Sequence, residues 1–243
     1  MRTIGLLGGM SWESTAVYYR RINEGVRYRC GDLASADIIL RSLDFRTVVA
    51  LQKADRWADA AGLLSAAAQG LERAGADCIL LCTNTMHLVA DQVKGACSVP
   101  FIHIIDETAR ALQGDGRRRP LLLATAYTMQ HGFYAEHMRG YGIDVMIPQP
   151  ADRAACHDAI FAELCRGVVS PQTQQALIDI VRRGQDAGAD SVILGCTELG
   201  LSLCAGDLPL PCYDSTHIHA RAAVEYALAA PRNTKPQLER TLI

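Results

Sequence analysis

Two segments of this chain place a side chain that could transfer a proton directly after an apolar stretch. The sequence Gly-Ala-Asp-Cys-Ile at 75–79 leads into a polar end at Thr83, and a similar sequence at 188–192 leads into Cys196. Aligning the two copies pairs Thr83 with Cys196. A thiol can act as an acid or a base, whereas a threonine hydroxyl is a far weaker acid. The repeat therefore predicts two matched polar turns that face one shared cleft.

The elements that carry these turns alternate between buried strands and helices. The apolar runs predict strands near 3–7, 37–42, 77–82, 100–104, 120–125, 143–147, 190–195 and 210–213. Helical periodicity predicts helices over 14–29, 55–73, 86–93, 106–112, 130–139, 156–166, 171–185 and 217–229. Asp214 is a candidate N-cap for the last of these helices.

This pattern predicts an α/β protein with two similar, doubly wound parallel-sheet domains related by pseudo-two-fold symmetry. The first domain is expected to comprise 1–98 plus 208–230, the second 99–207, and 231–243 form a C-terminal tail. Open parallel sheets bind ligands beyond the carboxyl ends of their strands. The active site is therefore expected in the cleft between the domains.

The composition is that of an ordinary globular protein. The chain has 243 residues, of which 49% are hydrophobic, and a formal net charge of −2, so nothing demands nucleic acid or a membrane as a partner. No apolar run approaches the length of about 20 residues that crosses a bilayer. Nine cysteines without a Cys-x-x-Cys pair favour free thiols and a cytoplasmic location.

A glycine turn follows the first predicted strand. Gly5, Gly8 and Gly9 do not form the Gly-x-Gly-x-x-Gly pattern of dinucleotide sites, and no Gly-Lys-Ser/Thr follows them. The helix start behind this turn is better suited to holding a carboxylate, because backbone N–H groups there attract anions. A turn needed only for packing is the structural alternative.

Three motifs together resemble one enzyme family. They are the N-terminal Gly-Leu-Leu-Gly-Gly-Met-Ser-Trp-Glu-Ser-Thr at 5–15, Asn84-Thr85-x-His87, and Gly195-Cys196-Thr197-Glu198. Over residues 1 to about 229 the chain resembles the cofactor-independent aspartate/glutamate racemase superfamily, specifically its aspartate racemase branch. The order and spacing of the motifs on a duplicated frame make this resemblance specific.

The resemblance implies an isomerase that racemises aspartate or glutamate with two cysteines, one on each face of the substrate's α-carbon. One group removes the α-proton and the other returns a proton to the opposite face. The resemblance also implies no cofactor, no metal and a homodimer. Pyridoxal phosphate is disfavoured by the residues too, because none of the three lysines, Lys53, Lys94 and Lys235, lies in a motif.

The chain departs from the family where Thr83 replaces the first cysteine. Three outcomes are open: Cys196 as the only efficient base, the neighbouring Cys82 as a substitute thiol, or a different one-thiol reaction such as decarboxylation or cis–trans isomerisation. Cys82 is the least favoured of these, because neighbouring strand residues point to opposite faces. His87 could relay a proton to Thr83, although a structural histidine is an equal alternative.

The remaining candidates are expected to contact the substrate. Substrate-binding residues are predicted at Met10, Gln52, Asn84, Thr85, Thr128 and Thr197, and Gln52 is included by resemblance. Arg166 is a candidate partner for a second carboxylate, and a solvated arginine at a helix end is the favoured alternative. His217 and His219 do not suit a metal, because residues two apart lie on different helix faces.

The alternative from another functional class is a protein without catalytic activity that binds a small amino acid or a sugar.

Overall fold

The computed structural model describes residues 1–229. Its strands are β1 Ile4–Gly8, β2 Ile38–Ser42, β3 Cys78–Leu81, β4 Phe101–Ile102, β5 Pro120–Leu123, β6 Ser191–Leu194 and β7 Cys212–Asp214. Its helices are α1 Trp12–Cys30, α2 Phe45–Lys53, α3 Trp57–Arg73, α4 Ala90–Gly95, α5 Ile104–Gly114, α6 Ala126–Gln130, α7 Phe133–Arg139, α8 Pro150–Asp158, α9 Pro171–Asp186, α10 Leu199–Ser202 and α11 Ser215–Leu228. The predicted tail at 231–243 lies outside the described residues.

The strands form two parallel sheets with related topology. The first sheet has the order β2-β1-β3-β4 and the second the order β5-β6-β7. Met146 forms a single parallel bridge with Leu121 of β5. The segment at Met146 therefore lies next to β5 in the same way that β2 lies next to β1. The predicted α/β class with two similar parallel sheets is confirmed.

The repeated Gly-Ala-Asp sequence ends a helix and starts a strand in both halves. Gly75 and Gly188 have positive φ angles of 103° and 95°, which an L side chain adopts only with strain. The next residue, Ala76 in one copy and Ala189 in the other, donates its N–H to a carbonyl five residues back and closes the helix. The two helices closed in this way are α3 and α9.

The aspartates of the repeat also have equivalent roles. The Asp77 carboxylate accepts the Thr3 N–H at 2.8 Å, just before β1. The Asp190 carboxylate accepts the N–H groups of Arg118 and Arg119 at 2.6 and 2.9 Å, just before β5. Each aspartate therefore ties the start of its own strand to the start of the neighbouring strand, β3 to β1 in the first sheet and β6 to β5 in the second.

The predicted division into domains is wrong for two strands. β4 pairs with β3 in the first sheet, although 99–207 assigned it to the second domain. β7 pairs with β6 in the second sheet, although 208–230 assigned it to the first. The chain crosses after these strands: α5 packs in the core of the second sheet, and α11 packs against β1, β3 and α1. Both predicted boundaries therefore come one strand too early.

Several observed helices also differ from those that helical periodicity predicts. The predicted helix at 86–93 is a 3₁₀ turn, Thr85–Val89, followed by the short α4. The predicted helix at 156–166 continues from α8 through a π turn, Ala159–Glu163, and a 3₁₀ turn, Leu164–Arg166. The predicted strand at 143–147 is reduced to the bridge at Met146. Periodicity did not find α2 or α10, which are short.

Within residues 1–229, no helix is both long enough and apolar enough to span a membrane.

Candidate active site

The two matched turns line one cavity between the sheets. Thr83 lies just beyond the carboxyl end of β3 and Cys196 just beyond that of β6. Corresponding backbone bonds fix both turns, since Cys82 donates its N–H to Leu7 O at 2.9 Å and Gly195 donates to Leu123 O at 2.7 Å. Seven residues expected at the site lie on the cavity wall: Met10, Gln52, Thr83, Asn84, Thr85, Cys196 and Thr197.

Cys196 is held as a protonated thiol. Its Sγ donates to Glu198 Oε2 at 2.9 Å. Burial raises the pKa of the Cys196 thiol well above its usual value, and the negative charge of Glu198 raises it further. At neutral pH the resting group is therefore a proton donor.

Glu198 is a site residue to which the sequence reasoning gave no role. It is buried, and its Oε1 accepts from the hydroxyls of Ser11 and Ser14, both at 3.2 Å. Its Oε2 accepts from the Cys196 thiol and lies 3.1 Å from Thr197 Oγ1. The hydroxyls of Ser14 and Thr197 also hydrogen-bond to each other, so only one of these two hydroxyls donates its proton to Glu198. The signal was present in the sequence as an acidic residue two positions after the candidate thiol.

The start of α1 is where a carboxylate was expected, and the chain supplies that carboxylate itself. Ser11 is the N-cap of α1, and its Oγ accepts the Ser14 N–H at 3.2 Å. The Glu198 carboxylate lies against these two serines, where the positive end of the helix dipole favours a negative charge. A substrate carboxylate would therefore have to share this helix start with the Glu198 carboxylate. Glycine is required at Gly9, because a Cβ there would lie 2.2 Å from Leu43 O.

The structure contradicts the prediction that His87 relays a proton to the Thr83 hydroxyl. His87 Nδ1 lies 2.7 Å from the Thr83 backbone carbonyl, and its Nε2 accepts the Ile104 N–H at 3.3 Å. The imidazole therefore carries its proton on Nδ1 and has no free nitrogen. Burial lowers the pKa of His87 well below its usual value. His87 is a structural histidine that joins the Thr83 turn to the start of α5.

Asn84 and Thr85 bridge the two halves of the chain. Asn84 Nδ2 donates to Ser215 Oγ at 3.1 Å, at the start of α11. Thr85 Oγ1 lies 3.2 Å from Thr125 Oγ1 and 3.0 Å from Thr128 Oγ1. Thr128 was predicted to contact substrate, but it is buried behind these two hydroxyls and does not line the cavity. Thr125 lines it instead, because the N-cap of α6 sits at the rim.

Arg166 also lies away from the cavity. Its side chain is exposed, because the 3₁₀ turn that carries it presents the preceding residue, Cys165, to the cavity wall. Burial raises the pKa of the Cys165 thiol to about 12, with a further contribution from Glu198. Within the described part of the chain, the cavity wall contains no arginine, lysine or histidine.

Cys82 is not available as a substitute thiol. It is fully buried among the side chains between the first sheet and helices α1 and α11. Its thiol makes a long contact with Leu80 O, at 3.9 Å, and burial raises the pKa of this thiol. The alternation of side chains along β3 turns Cys82 to this core, while the next residue, Thr83, lines the cavity.

The two histidines of the last helix lie in different surroundings. Its Nδ1 lies 2.8 Å from Tyr18 Oη and its Nε2 lies 2.7 Å from Ile102 O. Both nitrogens are therefore engaged, whereas His217 is exposed. Asp214 caps α11 as predicted, accepting the N–H groups of Thr216 and His217 at 2.9 and 3.1 Å.

Comparison with known proteins identifies the family. Residues 7–223 match the sequence profile of the Asp/Glu/Hydantoin racemases. The chain belongs to the Asp/Glu/Hydantoin racemase family. This match confirms the family resemblance that the three motifs predicted. Because the family's members are racemases, the chain is an isomerase.

Individual relatives cover nearly the whole chain. The broad specificity amino-acid racemase RacX of Bacillus subtilis is 28% identical over 93% of this chain and 98% of its own length. A candidate Asp/Glu racemase from Yersinia pestis is 45% identical, with a TM-score of 0.89 over 94% of this chain and 100% of that one. An aspartate racemase homologue from Pyrococcus horikoshii is 34% identical, with a TM-score of 0.84 over 93% and 99%.

Proposed function

We propose that this member of the family is a cofactor-independent amino-acid racemase that acts on aspartate, glutamate or both, with Cys196 and Thr83 on opposite faces of the α-carbon. The observation that carries the proposal is that Thr83 and Cys196, equivalent in the repeat, line the same cavity. Inverting a stereocentre requires one proton transfer on each face, and a duplicated fold supplies two such positions.

The surrounding groups suit the binding of an amino acid. The side chains of Asn84 and Thr85 offer an amide and a hydroxyl at the cavity wall, and Thr197 lines the same wall with its hydroxyl next to Glu198. Such donors can hold the α-carboxylate and stabilise the negative charge that develops when the α-proton leaves. No lysine lines this cavity among residues 1–229, which supports a mechanism without a Schiff base.

The two faces have unequal chemistry. Cys196 rests as a thiol and can reprotonate a carbanion directly, whereas the Thr83 hydroxyl is a weak acid and a poor base. The backbone of Thr83 is held by Leu81 O and by His87, at 2.8 and 2.7 Å. Because two enantiomers have equal free energies, kcat/KM must be equal in both directions even if kcat and KM differ separately.

Proton NMR in D₂O tests this function. Purified protein is incubated separately with L- and D-aspartate and L- and D-glutamate, and the α-proton signal and the chirality are followed together. The proposal predicts loss of the α-proton signal with inversion, abolished in Cys196→Ser and retained in Cys30→Ser, whose thiol is exposed and away from the cavity. Absence of exchange with all four compounds would contradict an acidic-amino-acid racemase.

Amino acids with uncharged side chains are a second candidate substrate class. A substrate's second carboxylate would meet no cation on the described cavity wall and would lie in the same cavity as Glu198. Met10, Phe45, Tyr127 and Phe161 supply apolar surface there. Exchange with neutral amino acids but not with aspartate or glutamate would support this class.

The two other reactions would give different signals with substrates of their own. A one-thiol decarboxylase would release carbon dioxide from a malonate-type substrate, and a cis–trans isomerase would change an alkene signal. A binding protein would bind an amino acid with no α-proton exchange, and Cys196→Ser would leave its affinity nearly unchanged.

A further inference from the structure

A second cluster of side chains that can ligate an ion lies where α5 packs against α7. One nitrogen or oxygen atom from each of His103, Asp106 and His137 lies within 4.8 Å of the others. Asp106 Oδ1 is 2.5 Å from His137 Nε2 and 3.9 Å from His103 Nδ1. Among residues 1–229, no other group of three histidine, cysteine, aspartate or glutamate side chains is this compact. None of the three lines the cavity that contains Cys196.

The fold brings the three side chains together from two helices. His103 follows β4 and is the N-cap of α5, and Asp106 lies in the first turn of the same helix. Residues three apart at a helix start lie side by side. His137 belongs to α7, and its contact with Asp106 shows that α7 meets this turn of α5.

The distances between the three side chains are close to those of a zinc site. Two ligands that each lie about 2.0–2.1 Å from a tetrahedral Zn²⁺ are about 3.3 Å from each other. The 2.5 Å between Asp106 and His137 would have to widen, and the 3.9 Å between Asp106 and His103 would have to shorten. Each change is smaller than about 1 Å, which small side-chain rotations can supply.

The orientation of the two imidazole rings shows which side chain has to move. The rings of His103 and His137 are stacked, with centroids 4.4 Å apart and planes 8° apart. The lone pair of a ring nitrogen lies in the ring plane, so two stacked rings cannot both face one ion. His137 is free to turn, because its side chain is 36% exposed, whereas that of His103 is 8% exposed.

The protons and charges of the cluster are compatible with an ion. His103 Nδ1 accepts the Ile105 N–H at 3.2 Å, so it carries a lone pair, and an ion competes with this one hydrogen bond. His137 Nε2 donates to the Asp106 carboxylate. An ion takes the place of that proton, and the ring then carries its proton on Nδ1. Asp106 and Glu107 in the first turn offset the positive end of the α5 dipole.

We propose that His103, Asp106 and His137 bind Zn²⁺ or a similar divalent transition-metal ion, with water in the fourth position. Imidazole nitrogen suits Zn²⁺, Co²⁺ and Ni²⁺, whereas Mg²⁺ and Ca²⁺ prefer oxygen ligands. The ion joins α5 to α7, so its role is structural. The site is separate from Cys196, and the proposal therefore does not depend on the proposed racemase function.

A titration of the purified full chain with Co²⁺ tests the proposal. Co²⁺ is the probe because the chain has nine cysteines, and a thiolate bound to Co²⁺ gives an intense near-ultraviolet band that imidazole and carboxylate ligands do not give. Absorbance and the imidazole signals in the NMR spectrum are followed together at neutral pH. The expected result is paramagnetic shifts of the His103 and His137 signals at the lowest Co²⁺ concentrations, without the thiolate band.

His137→Gln is the decisive variant. It removes one ligand from a half-exposed position and is expected to leave the fold intact, and the Co²⁺ concentration at half-saturation should rise by about 10-fold or more. Asp106→Asn should weaken binding in the same way. The matched control is His217→Gln, because His217 is exposed and its N–H bonds to Asp214, but it belongs to no such cluster. This control should leave the half-saturation point unchanged.

Zn²⁺ provides a second measurement in the same variants. Because an ion that binds the folded chain stabilises it, Zn²⁺ should raise the Tm of wild type and His217→Gln more than that of His137→Gln. Two results would overturn the proposal. One is the same half-saturation point for wild type and His137→Gln. The other is the thiolate band growing with Co²⁺ while the His103 and His137 signals stay unchanged.

Discussion

At the scale of single residues, the site is asymmetric because one position of the repeat changed its side chain. Cys196 has a carboxylate at 2.9 Å, whereas the hydrogen bonds of Thr83 within residues 1–229 use its backbone. The two faces therefore differ in acid strength and in the groups that support them.

Thr83→Cys is expected to make the two faces more alike. A thiol in place of the hydroxyl has a much lower pKa, so removal of the α-proton that faces residue 83 should become faster. Deuterium incorporation into each enantiomer separately checks this, and the expected gain is confined to one enantiomer in the first turnover. No change for either enantiomer would show that residue 83 is not at the second face.

The residue identities at the site were predicted better than their roles. Seven predicted residues line the cavity because strand ends in parallel sheets meet at one edge. Thr128 was predicted incorrectly to contact substrate, whereas His87 and Arg166 follow their structural alternatives. Sequence spacing does not reveal which backbone carbonyl, hydroxyl or solvent surface a side chain faces. Glu198 was missed because its role depends on Ser11 and Ser14, far away in sequence.

At the scale of elements, the turn after β6 is placed by a close backbone approach. A Cβ on Gly195 would lie 2.8 Å from Leu122 Cδ1 and 3.2 Å from Leu123 O. Because β5 and β6 pair directly at this point, only glycine lets the turn carrying Cys196 pass so near to β5.

Gly195→Ala is expected to lower the free energy of unfolding by about 1–3 kcal/mol. The displaced turn would move Cys196, and the α-proton exchange rate should fall by about 10-fold or more. Urea unfolding and NMR exchange measure the two effects. Gly62→Ala in α3 is the control, since its Cβ meets nothing within 4 Å, and it should be neutral or slightly stabilising. Unchanged exchange in Gly195→Ala would contradict this placement of the turn.

The strand and helix pattern was predictable where an element is long and uniformly buried. β3 and β6 are buried along their whole length, and α1 and α9 carry clear N-cap serines, Ser11 and Ser170. The crossing of β4 and β7 between the halves was not predictable from periodicity. It depends on which sheet offers a free edge, and a two- or three-residue strand carries too little pattern to show it.

At the scale of the whole molecule, one buried hydrogen-bond chain joins the two halves behind the cavity. Ser215 Oγ donates to Leu194 O at 2.8 Å and accepts from Asn84 Nδ2 at 3.1 Å. The chain therefore connects the turn after β3, the end of β6 and the start of α11. The proposed racemase mechanism predicts that the alignment of Thr83 with Cys196 depends on this connection.

Ser215→Ala should weaken both stability and binding. It leaves the Leu194 carbonyl and the Asn84 amide without their buried partner, at a cost of about 1–3 kcal/mol in the free energy of unfolding. KM should rise because Asn84 is less well held. Ser65→Ala is the control, because Ser65 is a half-buried serine whose hydroxyl has only a 3.4 Å contact with Gln92 O, away from the cavity. Equal KM in Ser215→Ala and wild type would argue against a role for this contact in positioning Asn84.

Stability should also decline with acid. Burial lowers the pKa of His219 and of His103 to about 4, with Asp106 opposing and His137 reinforcing the shift at His103. The unfolded chain binds these protons near pH 6.5, so stability is full above that pH and is lost as the pH falls towards 4. His219 contributes about 3 kcal/mol to this loss.

Urea unfolding between pH 7 and pH 4 measures this dependence. His219→Gln should flatten the profile because an amide keeps hydrogen-bonding groups but does not titrate in this range. A profile as steep as that of wild type would assign the acid sensitivity to other groups.

The homodimer remains a prediction, and analytical ultracentrifugation of the full chain checks it.

The most direct test of the central claim is the fate of the α-proton in Thr83→Ala. Each enantiomer of a substrate that wild type racemises is incubated in D₂O, and deuterium incorporation and inversion are measured separately. With Cys196 intact and the opposite face empty, one enantiomer should exchange its α-proton with retention of configuration, and neither should invert. Inversion by Thr83→Ala at the wild-type rate would contradict the assignment of Thr83 and Cys196 to the two faces.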